Sequence, residues 1–250
     1  MLARLRSRVI GWALSIAAIG ALAGCDLPGF TPLAPADEQG RHVASLWRGV
    51  GFVALAVGVT VWGLIGFAVI RYRRRRDTPE DAIPSQQSSS GVLEVIYTVI
   101  PLVIVAVLFV LTTTSQRKIN AVSTRPDLTV RVTAFQWGWQ FTYPTGATVV
   151  SGDGPPPELV LPLGQVVEID LVATDVVHAF YVPSFLFQRN AVPGTLTRFN
   201  VTPTKLGTFG GKCSTYCSIG HSKMLFEVRV LAADAFKTWL DAQPARAGSS

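Results

Sequence analysis

Charge is scarce in this 250-residue chain. Only 15% of its residues are charged, against roughly 25% in an ordinary soluble domain. Hydrophobic residues make up 49%, and the mean hydropathy is +0.37. Intrinsic disorder needs low hydrophobicity and high charge, so it is excluded. A wholly water-soluble globule fits poorly for the same reason, and part of the chain is expected in a membrane. No internal repeat is present. Cysteine, histidine and methionine are scarcer still, with 3, 3 and 2 copies. With so few, the place of each one is informative.

The charge that is present lies unevenly. The formal net charge is +6, from 22 basic and 16 acidic residues, with an isoelectric point near 9.5. Such a balance invites a nucleic-acid reading. Yet eight of the basic residues are Arg4, Arg6, Arg8 and the five arginines within 71–76. From residue 119 onward, ten basic residues face nine acidic ones. A near-neutral C-terminal half leaves no nucleic-acid footprint. The arginine clusters read instead as determinants of membrane topology beside anionic lipid.

Three long runs carry no charge. The first, 9–24, has 16 residues, short of the roughly 20 that cross a bilayer as a helix. A basic start, a short apolar stretch and small residues at its end describe a secretory signal. Its end, Leu22-Ala23-Gly24-Cys25, resembles the lipobox of bacterial lipoproteins. That resemblance implies cleavage before Cys25 and a lipid anchor on it; an uncleaved helix is the alternative. The second run, 49–70, would span about 33 Å as a helix, enough for the hydrocarbon core. The third lies between Glu94 and Arg117. Positive charge stays on the cytoplasmic side, so the arginines of 71–76 are inside and both outer ends are exported. The arginines at 4–8 are also inside, which puts Cys25 outside. The expected organisation is a signal at 1–24 and a two-helix membrane domain at 25–118. Its spans are near 49–70 and 94–115, with a cytoplasmic loop at 71–93. An exported domain follows at 119–235, then a helix end and tail at 236–250.

The exported half reads as β-structure. Residues 128–134 alternate with the apolar set on even numbers, and then Phe135, Trp137, Trp139, Phe141 and Tyr143 alternate on odd numbers. Strand side chains have period 2, so the change of phase predicts a bulge or strand break near Ala134–Phe135. Residues 167–171 alternate again, as do Met224, Phe226, Val228 and Val230. Pro- and Gly-rich turns separate these runs, which points to a β-sandwich or barrel. A short closing helix is expected at 232–242.

The scarce residues converge. Cys213, Cys217, His221 and Met224 fall within twelve positions, and Met224 is the only methionine besides Met1. Two thiolates, an imidazole and a thioether form a soft ligand set, which favours copper over zinc or magnesium. A disulfide between Cys213 and Cys217 explains the cysteines and nothing else. A zinc site leaves the methionine unused. Offsets of 4, 4 and 3 also describe one helix face, but the glycines and β-like flanks oppose a helix. His178 alone in an apolar strand would read as a core histidine, and His42 is expected on a loop before the first span, without a ligand role.

The pattern C-x₃-C-x₃-H-x₂-M resembles the binuclear copper motif of cytochrome c oxidase subunit II. The segment 175–184, with Asp175, His178 and Pro183, is similar to the stretch that brings that family's other histidine ligand. Gln136-Trp137-Gly138-Trp139 resembles its aromatic box, and 93–101, with Glu94 and Pro101, the start of its second membrane helix. The resemblance covers most of the chain, in family order. It implies two transmembrane α-helices in a hairpin, followed by an exported all-β cupredoxin-like Greek-key barrel. Cys213 and Cys217 would bridge two copper ions. His178 and Met224 would complete one ion, and His221 with the backbone carbonyl of Thr215 the other. Trp137 would be the point where electrons arrive from cytochrome c, although packing is the simpler reading of an aromatic stripe. Glu94 would stand at the mouth of a proton path into subunit I, or be an interfacial acid.

The chain would thus be part of an oxidoreductase and translocase. It would pass electrons to haem in subunit I, where O₂ becomes water and protons are pumped, with subunit III as a further partner. The location implied is a bacterial inner membrane, with the C-terminal domain on the periplasmic side in contact with membrane lipid. Departures from the family are Thr215 where glutamate is usual, Asn190 for aspartate, Lys212 for glutamine and Gly138 for an aromatic. The first puts the magnesium site at the subunit I interface in doubt. The copper subunit of a nitric oxide reductase is the nearest alternative. A disulfide-bonded binding lipoprotein is the alternative of another class.

Overall fold

The computed structural model describes residues 34–74, 79, 83, 86 and 89–244. The expected signal at 1–24 and Cys25 lie outside the described residues. Among the described residues two long helices come first: α1 at Glu38–Arg71 and α2 at Gly91–Ile119. Both are long and apolar enough to cross a membrane. Each is longer than its uncharged run. Polar residues such as Arg41, His42 and Arg48 mark where the apolar stretch stops. They do not stop the helix, whose backbone hydrogen bonds are internal in lipid and in water alike. His42, expected on a loop, therefore lies within α1. Glu94 sits in the first turn of α2, where negative charge complements the helix dipole.

The chain divides into two compact units. One is 45–119. The other joins residues 34–44 to 120–244, so the start of α1 belongs with the β domain. Hydrogen bonds make that join. The backbone N–H of Ala36 donates to Ser184 O, that of Glu38 to Thr202 O, and that of Thr204 to Ala36 O. Asp37 is fully buried between them and caps α1. Its carboxylate accepts from Thr202 N at 2.7 Å and from Gly40 N at 3.2 Å. Gly40 is required here, because a Cβ would lie 2.4 Å from Phe185 O.

Burial pushes the Asp37 carboxyl up to about 6, against backbone N–H groups that pull it down. A carboxyl raised on folding adds stability that is complete below its unfolded value and is lost as pH rises through its folded value. The shift from 3.8 to about 6 corresponds to about 3 kcal/mol. Asp37→Asn stays neutral throughout. The stability difference, parent minus variant, should fall by about that amount as pH rises from roughly 3.5 to 7. Denaturation midpoints measured across that range check it; a flat difference counts against the buried carboxyl.

Among the described residues ten strands form two five-stranded sheets. They are β1 Leu128–Phe135, β2 Gly138–Thr142, β3 Thr148–Val150, β4 Glu158–Pro162, β5 Val167–Ala173, β6 His178–Val182, β7 Phe187–Ala191, β8 Thr197–Val201, β9 Gly207–Cys213 and β10 Leu225–Leu231. One sheet has the order β3-β2-β1-β5-β8 and the other β4-β10-β9-β6-β7. The β1–β5 and β10–β4 pairs are parallel, and the others antiparallel. The closing helix, α3, spans Ala233–Asp241. This is the expected all-β, cupredoxin-like domain, built as two facing sheets.

The phase change near Ala134–Phe135 is a hairpin. Phe135 ends β1 and pairs with Gly138, the first residue of β2, across the turn residues Gln136 and Trp137. The five alternating aromatics therefore do not line one strand. Trp139, Phe141 and Tyr143 are buried, whereas Trp137 stands at the turn, 39% exposed. In the core, the Trp139 ring of one sheet meets Phe226 of the other at 5.1 Å, and Phe226 stacks on Phe180 at 4.7 Å. Gly211 lets β9 lie under the Phe226 ring, which a Cβ would approach to 2.2 Å.

Candidate metal centre

Two strands and one loop bring the scarce residues together. His178 opens β6, Cys213 closes β9, and the chain between β9 and β10 carries Thr215, Cys217, His221 and Met224. The β9–β10 ladder sets that loop, since Lys212 pairs with Leu225. One step further, the Cys213 N–H donates to Met224 O at 3.0 Å. The first and last donors of the loop are thus tied through the backbone. A short 3-10 turn at His221–Lys223 returns the chain to β10.

Cys213 Sγ and Cys217 Sγ lie 3.9 Å apart, and both cysteines are free. A disulfide requires about 2.05 Å. His178 Nδ1 is 3.9 Å from Cys213 Sγ, and His221 Nδ1 is 3.5 Å from Cys217 Sγ. Met224 Sδ is 3.8 Å from Cys217 Sγ, and the Thr215 carbonyl is 3.1 Å from Cys213 Sγ. His178, Cys213, Cys217 and Met224 are all buried. The sulfurs of Cys213 and Cys217 and a nitrogen of His178 lie close enough together for one metal ion to reach all three.

The electrostatics oppose a bare thiolate at Cys217. Burial, reinforced by the neighbouring Cys213, pushes the Cys217 thiol up to about 11. Two adjacent buried thiolates are therefore costly without positive charge, and a metal ion that binds them displaces their protons. Asp175 behaves oppositely. Desolvation is the largest single influence and raises its carboxyl, but hydrogen bonds from His178, Val176 and Gln136 together outweigh it and hold the carboxyl below the usual range. Asp175 Oδ1 sits 2.8 Å from His178 Nε2, which orients Nδ1 toward the sulfurs.

Trp137 joins the same cluster. Its Nε1–H donates to the Cys217 carbonyl at 2.8 Å, and its ring lies against Gly220, where a Cβ would come within 2.3 Å. Gln136 Nε2 donates to the same carbonyl at 3.0 Å. The sequence places Gln136 and Asp175 in family segments but assigns neither a contact, and Gly220 is one of the glycines there that oppose a helix. Glu94 is elsewhere, exposed in the first turn of α2 in the membrane unit.

The class defined by these features is a protein that carries, among the described residues, two helices long and apolar enough to cross a membrane and a β-sandwich whose buried soft donors could hold a metal ion. The comparisons narrow it. Residues 156–231 match the family described as cytochrome C oxidase subunit II, periplasmic domain. The Streptomyces avermitilis protein named "Probable cytochrome c oxidase subunit 2" is 36% identical over 259 residues, covering 87% of this chain and 81% of its own. The Mycobacterium bovis cytochrome c oxidase subunit 2 is 31% identical over 271 residues, covering 85% and 72%. The crystal structure of the periplasmic domain of subunit II of cytochrome oxidase from Bradyrhizobium japonicum aligns with a TM-score of 0.45 at 30% identity. That alignment covers 49% of this chain and 96% of the other. This chain belongs to the cytochrome c oxidase subunit II family, whose members are parts of an oxidoreductase complex.

Proposed function

We propose that this chain is the electron-accepting subunit of a haem–copper cytochrome c oxidase. In this reading it takes single electrons from cytochrome c and passes them to haem in subunit I for reduction of O₂ to water, coupled to proton pumping. The observation that carries it is the convergence of Cys213, Cys217, His178, His221, Met224 and the Thr215 carbonyl at one end of the sandwich. The donor set fits copper: two thiolates and a thioether are soft, and two imidazoles suit the same metal. Bound there, a binuclear copper centre supplies one-electron chemistry with its charge shared over two metals.

The residues divide the remaining work. Cys213 and Cys217 would be held in common by the two copper ions. His178 and Met224 would hold one ion, and His221 with the Thr215 carbonyl the other. Asp175 holds the His178 proton on Nε2, leaving Nδ1 free to bind. The strands carrying these groups are locked by the aromatic core, so their positions hold as charge arrives and leaves. Trp137, partly exposed and hydrogen-bonded to the Cys217 peptide, receives the electron. Glu94 marks the proton path from the cytoplasmic side. The arginines after α1 keep that side inside, and the β domain stands in the periplasm of a bacterial inner membrane. Cys25 carries the lipid anchor. With Thr215 in place of glutamate, this chain supplies no carboxylate to a magnesium ion at that position. Subunits I and III are its partners in the complex.

The test is metal analysis of the full chain in detergent. The expected result is two copper ions per chain, with an electron paramagnetic resonance spectrum of one unpaired electron shared over both. One copper, or zinc, overturns the reading. Turnover of O₂ rather than nitric oxide by the purified complex separates the oxidase from a nitric oxide reductase.

A further inference from the structure

We propose that Gln136 is a positioning residue for electron uptake, a clasp that holds Trp137 against the metal loop. The proposal rests on the reading of Trp137 as the residue that receives the electron.

Trp137 stands at the tip of the β1–β2 hairpin, where its own residue takes no part in the sheet ladder. It is 39% exposed. An indole at such a tip has other staggered rotamers open to it. Two contacts hold it: the Nε1–H to the Cys217 carbonyl at 2.8 Å, and the packing of its ring on Gly220. Both belong to the metal loop, so the ring is as fixed as that loop.

Gln136 fixes the loop from two sides. Its side-chain Nε2 donates to the Cys217 carbonyl at 3.0 Å, beside the indole donor. A carbonyl oxygen has two lone pairs, and here both are engaged, which sets the direction of the Cys217 peptide. The Gln136 backbone N–H donates to Asp175 Oδ2 at 2.6 Å, while Asp175 Oδ1 meets His178 Nε2 at 2.8 Å. One residue therefore joins the hairpin tip to the cysteine loop by its side chain and to the histidine side of the site by its backbone. Without the side-chain donor the Cys217 carbonyl can turn. The indole then loses the geometry in which it faces the loop, although every metal donor remains.

The experiment uses the assembled oxidase complex carrying Gln136→Leu, which keeps bulk and removes the donor. The near-isosteric Gln136→Glu, which sets an acceptor against the carbonyl, is the second variant. The rate of copper reduction is measured with reduced cytochrome c and with dithionite, a small reductant that needs no docking site. In both variants copper content and dithionite reduction should equal the parent. The cytochrome c rate at saturation should fall roughly fivefold with KM unchanged, the scale of one lost neutral hydrogen bond. A parent-like cytochrome c rate in either variant overturns the proposal. So does a fall in copper content parallel to the rate, which would make the role structural. Trp137→Ala, run alongside, separates the two ideas. If it leaves the cytochrome c rate intact, the reading of Trp137 fails; if it lowers the rate while both Gln136 variants match the parent, the clasp alone fails.

Discussion

Cys217→Ser should empty the site of copper. Cys217 is the hub of the donor cluster: its sulfur lies 3.9 Å from that of Cys213, 3.5 Å from His221 Nδ1 and 3.8 Å from Met224 Sδ. A hydroxyl replaces a soft thiolate with a hard donor that stays protonated at neutral pH, so in the proposed centre both ions would lose a ligand at once. Loss of an outer hydrogen-bond partner already costs a metal site roughly 10- to 100-fold in affinity, and removal of the bridge should exceed that. Metal analysis and the resonance spectrum report it directly. Stability provides a second measure. A ligand at about 1,000 times its dissociation constant stabilises the native state by about 4 kcal/mol, so the variant should unfold at the temperature of the metal-depleted parent. His42→Ala, altered within α1 and away from the donor set, should keep full copper. A Cys217→Ser chain with parental copper and spectrum would remove the thiolate bridge from the reading.

Electron uptake should respond as strongly to Trp137, with the copper untouched. Trp137→Ala removes the only ring hydrogen-bonded to the Cys217 carbonyl among the described residues. The cytochrome c rate should fall at least about tenfold, equivalent to about 1.4 kcal/mol of added barrier. Gly220→Ala tests the same point from the other side. Its Cβ would lie 2.3 Å from the indole, so the ring must move although no donor has changed. Both variants should keep two coppers and an unaltered spectrum. Stopped-flow reduction by cytochrome c measures the loss, and a parental rate in Gly220→Ala would show that the ring's seat is unimportant.

How far the sequence could lead differs from one part to the next. Period 2 placed the buried faces of β1 and β10 correctly, because burial on a strand repeats every second residue: Val130, Val132 and Ala134, then Phe226, Val228 and Val230, all point inward. The same periodicity gave a change of phase at Ala134–Phe135 but could not tell a bulge from a hairpin. Pairing across a two-residue turn is a matter of register, and register depends on a partner strand. The apolar runs located α1 and α2 and shortened both, since hydropathy records the solvent and not the hydrogen bonding of the helix. The soft donors were legible because two cysteines, a histidine and a methionine occur so close together in a chain that has few. His178 was legible only by resemblance, as it lies 35 residues away from Cys213. The seating of Asp37 on Thr202 was not legible, because an isolated aspartate before a helix reads only as a cap. The shared Cys217 carbonyl was equally hidden, since a backbone acceptor leaves no mark on composition.

The hydrogen bond from Cys213 N to Met224 O bears on the order of events in the cell. It closes the loop with atoms that belong to the sheet, so the entropy of bringing the loop's ends together is met by β9 and β10 when they pair. Metal therefore need not organise the polypeptide, in contrast to small zinc modules that are unfolded until loaded. Cys213 and Met224 are thus brought opposite one another by strand pairing alone, whatever the loop between them goes on to hold.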